Sequence, residues 1–74
     1  MPSTAPANSQ ITINGQPRPL GEMQHVADLM GALGLDARKV AVELNRTIVP
    51  RSAYVTTPLN AGDMVEIVGF IGGG

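Results

Sequence analysis

Between residues 10 and 70 the apolar residues follow two different periods, and the switch between them restricts the chain to a helix packed on a sheet. Val26, Leu29, Met30 and Leu33 stand at i, i+3, i+4 and i+7, one face of a helix. On either side the period is two: Ile11 and Ile13 before it, then Val40, Val42 and Leu44, then Val65 and Ile67. A helix of about 9 or 10 residues is not stable alone and must lie on another element. Asp28 falls in its first turns, where a negative charge favours the helix dipole. Gly34 follows its last apolar position and can take the left-handed conformation that ends helices, which places Leu35 to pack back on the helix end.

The strands can be read with their turns. Gln10 to Asn14 alternates as a half-buried strand, and Asn14-Gly15 is a strong hairpin signal. The return strand, Gln16 to Leu20, contains Pro17 and Pro19. Neither can donate to a ladder, so an edge strand is expected. Lys39 to Leu44 is a strand with Val40, Val42 and Leu44 on one face and Ala41 and Glu43 on the other. Asn45-Arg46 is a turn, Ile48-Val49 a short strand ended by Pro50, and residues 51–60 are read as irregular, with Leu59 a core plug beneath them. Ala61-Gly62-Asp63 is a turn before the last strand, Met64 to Phe70. Val65 and Ile67 take one face of that strand, and Met64, Glu66 and Val68 the other. A single helix among these strands gives the α+β class: a mixed sheet of four to five strands with the helix on one face. The second face is left open, and Met64 and Val68 on it form a candidate partner site. The expected organisation is a flexible extension over residues 1–9, one domain over 10–70 and a flexible glycine tail over 71–74.

Composition removes several function classes. The 74 residues allow one domain, and 43% apolar content suffices for one small core. A formal net charge of −1, from 5 basic and 6 acidic residues, argues against nucleic acid and against a polybasic membrane contact. With no Cys there is no disulfide, thiolate metal site or Cys nucleophile. The lone His25 has no second His or Cys with which to bind metal and is read as a polar residue at the helix start. Asp28, Asp36, Glu43, Asp63 and Glu66 are scattered singly as solvated positions, and Arg38, Lys39, Arg46 and Arg51 are read as solubilising charge. No apolar run approaches the roughly 20 residues of a membrane span, and no signal peptide is visible, so a cytoplasmic protein is expected.

The remaining feature is the run Phe70-Ile71-Gly72-Gly73-Gly74, which follows directly from a core strand. Glycine has no Cβ, so Gly72 and Gly73 can thread a narrow slot in a partner at any φ. At about 3.3–3.6 Å per extended residue, residues 71–74 reach roughly 13 Å. A terminal carboxylate, with a pKa near about 3.5, is ionised at neutral pH and is a poor electrophile. It needs activation, for instance by adenylation. The sequence has no phosphate-binding glycine loop, so a separate enzyme must supply the nucleotide.

From Ile11 to Gly74 the chain resembles the ThiS family, sulfur carriers of thiamine biosynthesis. The resemblance rests on Ile-Thr-Ile-Asn-Gly at 11–15, Val26-Ala27-Asp28-Leu29-Met30, Val40-Ala41-Val42-Glu43-Leu44-Asn45 and Ile48-Val49-Pro50-Arg51. It continues through Tyr54, Leu59, Gly62-Asp63, Val65-Glu66-Ile67-Val68 and Gly72-Gly73-Gly74. His25 and Arg46 depart from the family's usual small polar residue and glycine. The resemblance implies a ubiquitin-like β-grasp fold and a carrier that is not itself an enzyme and binds no cofactor. It implies that a ThiF-like enzyme, using ATP and magnesium, adenylates Gly74. A persulfide of the cysteine desulfurase type then supplies sulfur to form a thiocarboxylate, and a ThiG-like thiazole synthase accepts it. Gly74 would be the sulfur attachment site, Gly72 and Gly73 the threading residues, and Phe70, Ile71, Met64 and Val68 the docking contacts. Two alternatives share this shape: a carrier of the molybdopterin synthase small-subunit type, and a ubiquitin-like modifier joined through Gly74 to a lysine.

Overall fold

The computed structural model describes residues 9–69. Five strands and one helix run in the order β1 (Gln10–Ile13), β2 (Gln16–Pro19), α1 (Val26–Leu33), β3 (Val40–Leu44), β4 (Thr47–Val49) and β5 (Met64–Gly69), with 3₁₀ turns at Ala37–Lys39 and Arg51–Ala53. The strands form one sheet in the order β2-β1-β5-β3-β4. β1 and β5 are parallel, and the other neighbours are antiparallel. The last strand in sequence is therefore the middle strand of a mixed sheet.

β2 takes the edge, as its prolines require. The Thr12 N–H donates to the Asp63 carbonyl, towards β5. Thr12 thus makes no ladder bond to Pro17 opposite it, and the alternation of an antiparallel pair leaves Pro17 and Pro19 with nothing to donate. At the other end of the pair the Leu20 N–H donates to the Ser9 carbonyl at 3.1 Å.

One layer of side chains lies between sheet and helix. Ile11, Val42, Val49 and Val65 from the sheet meet Val26, Leu29 and Met30 from α1, with Tyr54 and Leu59 closing the core. The helix ends as its sequence predicts. Gly34 is left-handed at φ +68°, its N–H donates to Gly31 O at 3.1 Å, and the Leu35 N–H donates to Met30 O at 3.0 Å. These two bonds satisfy carbonyls that a helix end otherwise leaves unpaired.

The helix start differs from a simple dipole effect. His25 is the residue before the first turn, and the Asp28 carboxylate accepts from the N–H groups of Gln24 at 2.8 Å and His25 at 2.9 Å. These two donors, Gln24 first, hold the Asp28 carboxyl below its ordinary range. The segment read as irregular supplies the rest. The Val26 N–H donates to Thr57 O at 3.0 Å and the Ala27 N–H to Tyr54 O at 2.9 Å, while Leu59 N–H donates to Gln24 O. Residues 51–60 therefore satisfy the free donors of the first helical turn, and the buried Tyr54 and Leu59 anchor them.

Strand limits shift by a residue in four places: β2 ends at Pro19 rather than Leu20, β4 begins at Thr47 rather than Ile48, and β3 and β1 each lose a residue to a turn. Lys39 belongs to a 3₁₀ turn rather than to β3, because Asp36 caps that turn by accepting from Arg38 N–H at 2.9 Å. Asn14 leaves β1 at φ +51° to enter the hairpin turn with Gly15 at +83°.

Candidate functional site

β5 leads to the glycine run and carries both faces of the problem. Val65 is buried and Ile67 half-buried towards α1, while Met64, Glu66 and Val68 project from the face without a helix. The register brings further residues to that open face. Ala41 stands opposite Val68, Glu43 opposite Glu66, and Ile48 opposite Glu43. Met64 is half-buried, whereas Val68 is 63% exposed and Ile48 68% exposed. Two glutamates thus sit in the middle of a surface flanked by exposed β-branched side chains. No salt bridge to either is found among the described residues.

Of the residues singled out in the sequence, the structure places Met64 and Val68 on the open face, four positions apart on one strand with Glu66 between them. Gly72, Gly73 and Gly74, with Phe70 and Ile71, lie outside the described residues. Ile48 and the facing glutamates were not singled out as site residues. Their side of each strand follows from alternation, but their opposition depends on which strands pair and in what register.

Arg38 binds back on Asp36, with Nε donating at 3.1 Å and Nη2 at 3.0 Å. That guanidinium, and then the Arg38 backbone N–H, pull the Asp36 carboxyl down to about 2. Arg46 occupies a left-handed turn position at φ +72° beside Asn45 at +50°. Among the described residues no group of three or more His, Cys, Asp or Glu could hold a metal ion. No helix among them is long and apolar enough to cross a membrane. A groove on the helix side, between β2 and Leu33, contains Arg18 as its one charged group and is separate from the open face.

The turn residues on both sides of β5 grip its backbone. The Asn14 side chain bonds both polar groups of Ile67, and Asn45 Oδ1 accepts from Met64 N–H at 2.9 Å. The middle strand is therefore held by side chains as well as by its two neighbours.

The chain matches the model of the ThiS family over residues 11–74. It is 51% identical over 65 residues to a protein named thiazole synthase from Paramagnetospirillum magneticum, covering 88% of this chain and 20% of that protein. It therefore spans about a fifth of that relative's length. It is 34% identical over 64 residues to the sulfur carrier protein ThiS of Thermus thermophilus, covering 86% of this chain and 98% of that one. The crystal structure of the thiamine biosynthesis protein ThiS from Geobacter metallireducens superposes with a TM-score of 0.74 at 37% identity, over 88% of this chain and 99% of that one. The five-stranded mixed sheet with one helix is thus the β-grasp fold, and the chain belongs to the ThiS family.

Proposed function

We propose that this chain is a sulfur carrier for thiazole formation in thiamine biosynthesis, with the carboxyl group of Gly74 as the site of sulfur attachment. The observation that carries this reading is the match to the ThiS family through residue 74. A partner adenylating enzyme of the ThiF type binds ATP and magnesium. The Gly74 carboxylate attacks the α-phosphate and releases pyrophosphate, which converts a poor electrophile into an acyl-adenylate. The terminal sulfur of a cysteine-derived persulfide then attacks the carbonyl carbon and AMP leaves. The new C–S bond gives an acyl disulfide. A thiol then attacks the donor cysteine's sulfur and cleaves the S–S bond inherited from the persulfide, which frees the thiocarboxylate and leaves that thiol in a disulfide with the donor cysteine.

The acceptor in this reading is a thiazole synthase of the ThiG type. Support comes from the relative of that name, in which a segment like this chain makes up 20% of the protein. The chain acts as co-substrate of both enzymes, in the cytoplasm, and binds no cofactor of its own. The open face of the sheet, with Met64 and Val68, docks the partner, together with Phe70 and Ile71. Gly72 and Gly73 pass through the slot that leads to the adenylation site, where a side chain would obstruct passage.

The test is intact mass spectrometry after incubation with ATP, magnesium, a ThiF-type enzyme and a persulfide source. Replacement of one oxygen by sulfur, localised to Gly74, supports the carrier reading. An unchanged mass with an enzyme proven active on another carrier overturns it.

A further inference from the structure

β5 has a neighbour on each side, but the two do not accompany it equally far. β3 follows it to Gly69, which stands opposite Val40. β1 pairs with it only at Thr12–Met64 and Ile13–Val65, because Asn14 and Gly15 turn the chain back into β2. The Asn14 N–H still donates to Val65 O at 2.9 Å. Beyond that point its side chain takes over. Asn14 Oδ1 accepts from the Ile67 N–H at 2.8 Å, and Nδ2 donates to Ile67 O at 3.1 Å. A side-chain amide offers the same acceptor and donor as a peptide group. Asn14 therefore presents to Ile67 what one more residue of β1 would present. The hairpin itself needs only a positive φ here, which glycine also supplies; the two bonds to Ile67 go beyond the turn's requirement.

Asn45, in the turn between β3 and β4, provides a comparison because it bonds the same strand. It too is left-handed, at φ +50°. Its Oδ1 accepts from Met64 N–H at 2.9 Å and its Nδ2 donates to Asp63 Oδ1 at 3.1 Å. Asn45 thus grips β5 at its entry from the β3 side, and Asn14 grips it near its exit from the β1 side.

We propose that Asn14 is a positioning residue for the sulfur-carrying end of the chain: its side-chain amide holds β5 through Ile67 and sets the direction in which the chain leaves the sheet after Gly69. This rests on the carrier reading above. A reactive group that must enter a narrow site gains from a fixed point of departure, because misplacement by about 1 Å can cost a large factor in rate. Without the amide, β5 is flanked from Ile67 onward by β3 alone.

Two matched variants of the full chain test the proposal. Asn14→Gly and Asn45→Gly each keep the positive φ and each remove two side-chain hydrogen bonds. Amide exchange of Ile67 is expected to quicken by about tenfold in Asn14→Gly, with higher mobility at Val68 and Gly69, and to stay near wild type in Asn45→Gly. With the adenylating enzyme, Asn14→Gly is expected to lower kcat by about tenfold and to leave KM within about twofold, since Met64 and Val68 keep their side chains and β3 still pairs with β5 as far as Gly69. Asn45→Gly should keep kcat within about twofold of wild type. Equal kcat in the two variants, a loss confined to KM, or unchanged exchange at Ile67 would overturn the proposal. If the wild-type chain is not adenylated at all, it is the carrier reading that fails. Exchange at Ile67 and backbone relaxation at Val68 and Gly69 then decide alone whether Asn14 holds the exit, and unchanged values in Asn14→Gly count against it.

Discussion

Glu43 and Glu66 stand directly opposite each other on the neighbouring antiparallel strands β3 and β5, on the face without a helix. Like charges so placed destabilise a sheet by about 0.2–1 kcal/mol relative to a neutral pair. Replacing Glu66 with Gln should therefore raise the urea midpoint by an amount equivalent to about 0.5 kcal/mol at low salt, and the gain should shrink as salt screens the wild-type repulsion. A variant no more stable than wild type at low salt would show that the two carboxylates lie too far apart to interact.

The open face also bears on partner binding. Val68 and Ile48 are both well exposed, so placing a charge on either costs little folding energy. Val68→Asp is expected to keep the melting temperature within a few degrees and to raise KM for the adenylating enzyme by about tenfold or more, as desolvating an unpaired charge in an interface requires. The mirror experiment uses Val55→Asp, an exposed residue outside the sheet, which should leave KM unchanged. Equal KM for all three proteins would remove this face from the docking surface.

The core has little redundancy. Leu29 is fully buried near the centre of α1 and belongs to the one core cluster that also holds the buried sheet residues, Tyr54 and Leu59. Leu29→Ala should cost about 2–5 kcal/mol. A domain of this size has about 5–15 kcal/mol at most to lose. A large fraction of the variant should thus be unfolded by circular dichroism at modest urea concentrations.

Acid should weaken the fold through the capping carboxylates. Asp36 is held at about 2 by the Arg38 side chain and backbone, against an ordinary value of 3.8, and Asp28 is also depressed, by the N–H groups of Gln24 and His25. In the unfolded chain these groups take up protons at higher pH than in the folded chain. Their stabilisation is therefore complete above about pH 4 and is lost as the pH falls towards 2. Both side chains are well solvated, so the effect is a shallow slope. Asp36→Asn should flatten the fall in melting temperature between pH 4 and pH 2, and a slope identical to wild type would count against the Asp36–Arg38 pairing.

Gly74→Ala separates folding from chemistry. The substitution alters none of the residues of the described core and should leave the melting temperature unchanged. If the adenylation slot admits only glycine, the activation rate should fall by about a hundredfold, as expected when a reacting group is held off by a methyl group. Equal rates for the two proteins would show that the slot tolerates a side chain.

Much of this structure could be read from neighbouring residues alone. The stripe Val26, Leu29, Met30 and Leu33 specified the helix and the face it buries, and Gly34 specified its end, because both depend on residues within two turns. Pro17 and Pro19 placed β2 at an edge, since a missing N–H is a property of the residue itself. The glycine run that carries the proposed chemistry was likewise visible as sequence. Other features arise only when distant segments meet. Nothing local made β5 the middle strand, and that position follows from the need to cover α1 with Ile11, Val42 and Val65 together. Once it is there, Glu66 must face Glu43, and Asn14 reaches Ile67 across 53 residues of chain. Residues 51–60 looked irregular because they form only local turns, and the Tyr54 and Thr57 carbonyls serve Ala27 and Val26 at the helix start, about 30 residues earlier in the chain. Local pattern constrains which face a residue turns, through the fixed periods of helix and strand. Which faces meet is decided by the burial of one shared core.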